Sequence, residues 1–152
     1  MKITKLMMMT LMMCLSFNSC SNNTNDAEQK QIKKYELKYN KINDYTPYET
    51  MEHFLKICNN ANDSSPFKQY TPDMIESQCA SFFRIKSEEN LKFVIELLKH
   101  KKIINNNNYD FYELQKFIDN IKNDKQDKLD KLIIKSFELS IEYQKEYLTY
   151  NV

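Results

Sequence analysis

The sequence predicts an all-α protein, a small bundle of four to five helices, and three observations predict it. The chain of 152 residues has no glycine, so tight hairpin turns would have to rely on Asn or Asp alone. From Thr46 onward, apolar residues recur at spacings of three and four, the pattern of a helix with one buried face. Side-chain caps followed by proline or glutamate stand at the heads of those stripes. No internal repeat and no alternating strand pattern of useful length competes with them.

Residues 21–43 are polar and Lys-rich. Ile32, Tyr35, Tyr39 and Ile42 fit a narrow amphipathic helix, and their small number fits a solvated tether equally well. The first firm helix starts at Thr46, with Pro47 at its first position and Glu49 three residues after the cap. Met51, Phe54, Leu55 and Cys58 make its apolar face, and residues 59–70 form a loop. Thr71-Pro72-Asp73 repeats the starting device for a helix that buries Ile75, Cys79, Phe82 and Phe83. Ser87-Glu88-Glu89 restarts or continues it, with Leu91, Val94, Ile95 and Leu98 as the next stripe. Lys99, His100, Lys101 and Lys102 suit a helix C-terminus, where cations favour the dipole. After the loop 105–108, Asp110 and Glu113 form a capping box ahead of Leu114, Phe117, Ile118 and Ile121. Leu129, Leu132, Ile133, Phe137 and Ile141 then mark a long helix towards Tyr147.

The first twenty residues have a different character. Lys2 and Lys5 precede a short apolar run from Leu6 to Phe17, then Asn18-Ser19-Cys20 and a polar stretch. A basic start, a short apolar middle and a small residue at the boundary make an export signal. The run is too short to span a bilayer, which takes about 20 apolar residues. Ser19-Cys20 in this setting resembles bacterial lipoprotein precursors, although Phe17 and Asn18 stand where that family carries Leu and a small residue. The resemblance implies cleavage before Cys20, acylation of its sulfur and a palmitate-type anchor holding the protein to a membrane. Ordinary secretion with cleavage after Ser21 is the alternative. The expected organisation is a signal peptide over 1–19, a lipidated polar tether over 20–45 that could be part helical, and a helical domain over 46–152.

An exported chain meets an oxidising compartment, and Cys58 and Cys79 are then the pair left beside Cys20. A single intramolecular disulfide between them is expected, pinning two helices at their apolar faces, with two buried thiols as the alternative.

Little in the sequence points to catalysis. Phosphate loops, dinucleotide fingerprints and nucleophile elbows need glycine, and none can be built here. His53 and His100 fall on different helices without metal-type spacing. Glu88-Glu89 suits a helix first turn, and Glu138 with Glu142 lies among lysines that make a charge ladder. No enzyme, cofactor, metal or small-molecule substrate is therefore expected. Without residues 1–19 the chain carries twenty basic and twenty-one acidic residues, a net charge of −1. That balance gives no electrostatic reason to expect nucleic acid or an anionic membrane surface as partner.

Tyr143, Tyr147 and Tyr150 form an aromatic stripe that either packs on the bundle or offers a protein contact, which Tyr45 and Tyr48 could extend. The leading functional expectation is a membrane-anchored, exported binding protein with a protein partner, on the periplasmic or surface face. Its architecture is similar to immunity and plasmid entry-exclusion lipoproteins, which neutralise or exclude a partner. A structural subunit of an envelope complex and a host-binding surface lipoprotein are the alternatives, with a small hydrolase behind them.

Overall fold

The computed structural model describes residues 24–44, 47–60 and 62–150. They form five helices and no strand: α1 (24–42), α2 (Pro47–Asn59), α3 (Pro72–His100), α4 (Phe111–Asn123) and α5 (Lys128–Tyr150). The export segment, Cys20, Tyr45 and Thr46 lie outside the described residues, as do the side chains of Tyr48, Met51 and Cys58. The chain divides into two compact units between Leu37 and Lys38.

Within α1, the amphipathic alternative for residues 21–43 is the one adopted. Tyr35 and Tyr39 are buried and Ile32 and Ile42 half-buried, while the remaining described positions up to Lys41 are exposed apart from Gln31.

The second unit is built on α3 packed along α5. Their inner faces follow the sequence periodicity: Phe83, Val94 and Leu98 from α3 and Ile133 and Phe137 from α5 are all nearly or fully inaccessible. Leu97 joins them, and α4 adds Leu114, Ile118 and Ile121. Burying each such aliphatic side chain is worth roughly 1.5–3 kcal/mol, which makes this seam the main source of stability. Phe111 at the head of α4 stacks on Phe137 of α5, with ring centroids 5.0 Å apart. Small residues permit the close approach of the two long helices. Buried Ser87 donates through Oγ to the Ser140 carbonyl at 2.9 Å, and Ser140 donates to the Phe137 carbonyl at 2.8 Å.

Local signals fix where the helices begin and end. Thr71 Oγ1 accepts from the Met74 amide at 3.3 Å, and Pro72 follows as the first residue of α3. Asp110 and Glu113 close the expected capping box on α4, with bonds of 2.8 and 3.1 Å. Asp127 and Asp130 do the same for α5: the Asp130 amide donates to Asp127 and the Asp127 amide to Asp130, at 2.8 and 3.0 Å. Ser87-Glu88-Glu89 continues α3 rather than restarting it, since the helix runs unbroken through 29 residues. That helix ends in a Schellman motif, with the Ile103 amide bonded to the Leu98 carbonyl and the Lys102 amide to that of Lys99. Lys102 takes the left-handed position, at φ 57°, that glycine fills in most such ends.

The last turn of α1 is fastened to α3 by polar groups. Asn43 and the fully buried Asn90 exchange side-chain hydrogen bonds of 3.0 and 2.7 Å. Lys86 Nζ donates to the Ile42 carbonyl at 2.6 Å, placing a cation at the negative end of α1. Lys38 pairs with Glu96.

The expected Cys58–Cys79 disulfide is not supported. No cysteine pair stands at disulfide distance among the described residues. Cys79 is 0% exposed, in a cluster with Ile75, Phe83 and Tyr143. Among the described side chains of α2, Phe54 packs against this cluster.

Candidate functional site

The tyrosine stripe divides into a core residue and a groove wall. Tyr143 is 0% exposed, so it cannot serve as the protein contact proposed for it from sequence. Its ring lies 6.3 Å from that of Phe83, and burial followed by the charge of Asp44 pushes its hydroxyl up to about 12. Tyr147 and Tyr150, one and two turns further along α5, are half-buried and pack against the same cluster. Tyr150 lies over Phe83 at 5.8 Å, and burial followed by Glu146 raises its hydroxyl above the usual tyrosine value.

These two rings form one wall of a groove of about 250 Å³ between the end of α5 and the first half of α3. Ser77, Ala80 and Ser81 make its floor, because their short side chains leave room where α3 faces Tyr147 and Tyr150. Asp73, Glu76 and Arg84 make its charged rim. Arg84, the only arginine in the sequence, donates to Glu88 at 2.7 Å, with both side chains about half exposed. The groove offers hydrogen bonds, aromatic faces and both signs of charge, and no imidazole lines it. Such a lining suits recognition of a side chain or a short segment of another protein.

The other residues singled out from sequence are dispersed. His53 on α2 and His100 at the end of α3 are both exposed. Glu88 is taken by Arg84, Glu89 lies 3.5 Å from Lys86, and Glu138 accepts from Lys122 at 2.8 Å. Lys99 donates to Asn107 at 3.0 Å beside a wider cleft of about 530 Å³. Lys101 bridges Asp127 and Asp130 at 2.7 and 2.5 Å, which ties the end of α3 to the start of α5. Three or more His, Cys, Asp or Glu residues do not gather into a metal-holding group among the described residues. No described helix is long and apolar enough to cross a membrane.

Sequence reasoning missed Arg84 and the small floor of α3. The signal available was the Ser77, Ala80, Ser81 and Arg84 series, which falls on one side of the helix beside the apolar stripe. The groove needs α5 laid against α3, and spacing within one helix does not specify that pairing. Comparison of the chain with family models, curated proteins and solved structures finds no match.

Proposed function

We propose that the protein is exported, anchored by acyl chains on Cys20, and acts as a non-catalytic binding protein that engages a protein partner through the Tyr147–Tyr150 groove. The order of residues 1–20 carries the reading: two lysines, a short apolar run, then Ser19-Cys20 and a polar stretch. Each methylene buried in lipid is worth about 0.8 kcal/mol, so two or more chains on one sulfur hold a soluble helical body at a membrane surface without a spanning helix.

The groove supports the second half of the reading. It presents two tyrosines and an arginine, residue types enriched in binding hot spots, beside a floor of small side chains. Neutralising or excluding a partner, in the manner of an immunity protein, is the form of binding that fits an anchored body of this size.

Two measurements test these halves separately. Labelled palmitate should enter the native protein and be lost in Cys20→Ser; label that survives the substitution contradicts the anchor. A photo-crosslinking residue placed at Tyr150 in intact cells should give a discrete protein adduct that the same residue at Tyr112 on α4 does not. Equal adducts from both positions, or none from Tyr150, contradict the groove.

A further inference from the structure

The net charge of −1 conceals a segregation of charge along α1. At 100° per residue, Lys30, Lys33, Lys34 and Leu37 fall within an arc of roughly 100°. That arc lies on the opposite side of the helix from Ile32 and Tyr35. All three lysines are exposed, and Leu37 among them is 62% exposed. Glu28 and Glu36 fall outside the arc, and Asp26 in the first turn is the one acidic residue of α1 within it.

An ordinary solvated face mixes signs so that lysines find partners. Lys38, Lys68, Lys86, Lys101 and Lys122 do so, whereas Lys125, Lys128 and Lys131 are unpaired among the described residues but surround no exposed large apolar side chain. Lys30, Lys33 and Lys34 make no ion pair among the described residues. Lys30 and Lys34 stand at i,i+4, a like-charge spacing that costs an isolated helix a few tenths of a kcal/mol. A row of unpaired lysines around an exposed leucine has the makeup of a helix face lying in a lipid interface: the ammonium groups meet phosphates, and the lysine stems and leucine meet acyl chains.

We infer that this face of α1, centred on Lys30, Lys33, Lys34 and Leu37, docks on an anionic lipid surface. The inference takes from the proposed anchor only proximity, since Lys30 follows Cys20 by ten residues and an acylated sulfur would hold the helix within about 35 Å of the headgroups. The lysine face supplies a second signal of the kind that makes acyl anchoring stable.

Partition of the full-length chain into vesicles tests it, comparing pure phosphatidylcholine with phosphatidylcholine containing about a third phosphatidylglycerol. Acyl chains and the apolar run of residues 6–17 contribute equally to both vesicle types, and Lys2 and Lys5 are exchanged for Gln in every chain compared, so only the charged face separates them. A docking face predicts roughly fivefold preference per lysine for the anionic vesicles, on the order of 100-fold for three at low salt. That preference should vanish near 1 M salt, where the Debye length is about 3 Å. Exchange of Lys30, Lys33 and Lys34 for Gln should abolish it, and exchange of the same three for Arg should keep it. Gln at the exposed Lys125, Lys128 and Lys131 should leave it intact. The inference is overturned if the chain that keeps Lys30, Lys33 and Lys34 shows no preference, if both Gln variants lose it equally, or if duplex DNA captures the chain as tightly at the same salt. A chain without acyl groups that keeps the preference would refute the anchor alone.

Discussion

Lys102 shows at the scale of one residue what a chain without glycine must accept. Its φ of 57° lies where an L-residue costs about 1–2 kcal/mol, and the Schellman bonds around it hold it there. Lys102→Gly should raise the unfolding free energy by about 0.5–1 kcal/mol in urea titration, less than the full strain because glycine gains entropy in the unfolded chain. Ser136 is a second such position. It is fully buried on α5, and its Oγ finds no hydrogen-bond partner. Ser136→Ala should therefore stabilise by about 1 kcal/mol in the same assay, whereas a loss would reveal a partner for the hydroxyl. Tyr39 and Tyr143 predict the alkaline limit. Burial, reinforced by Glu142 for Tyr39 and by Asp44 for Tyr143, raises both hydroxyls from 10.0 to about 12. A group with a raised folded value contributes stability that is full below its unfolded value and lost as pH climbs through the folded one. Helicity should hold below pH 10 and fail between about 10 and 12, with tyrosinate absorbance rising in the same step. Phenolate absorbance that rises near pH 10 with the helices intact would contradict the burial of both rings.

The helices themselves show how much of the fold was legible. Heads with a self-contained chemical signal could be read directly, as Thr71-Pro72 and Asp110 with Glu113 were, because a cap bonds within its own turn. Buried stripes were legible for the same reason: Ile75, Cys79, Phe83, Val94 and Leu98 repeat at helical spacing and all face inward. Features that need two helices were not. The Asn43–Asn90 exchange joins positions 47 residues apart, and neither amide marks its partner in sequence. The unsupported disulfide has the same origin, since two cysteines on apolar faces need their helices in matching register. Among its described side chains, α2 meets the cluster with Phe54. The junction of α3 with α5 gives a prediction at this scale. Burial alone would raise the Asp127 carboxyl, but hydrogen bonds from Lys101 and from the Asp130 and Leu129 amides outweigh it and hold the acid below 3.8. Its contribution is therefore full above that unfolded value and lost as pH falls through the lower folded one. Asp127→Ala should cost about 1 kcal/mol at neutral pH as a lost cap, and the difference from the native protein should shrink as pH falls below 3.8. An unchanged difference at low pH would show that the carboxylate charge is not what stabilises the junction.

Across the whole molecule, the second unit is a scaffold with the proposed binding groove at its edge. The α3–α5 seam supplies rigidity and leaves the Tyr147–Tyr150 groove as a fixed recess at one end of that pair. The apolar stripes that make the seam were written in the sequence but their pairing was not, and the groove was half written there: Tyr147 and Tyr150 were singled out, and Arg84 with the small side chains of α3 was not. Charge bore the least information at this scale, because a sum near zero cannot register how lysines are distributed around one helix. The fate of Cys20 decides the proposed anchor, and intact-mass spectrometry of the protein recovered from membranes measures it directly. The proposed anchor predicts a chain that begins at Cys20 and carries the added mass of acyl groups on that residue. A chain that keeps residues 1–19, or one that begins at Asn22 without lipid, would contradict it.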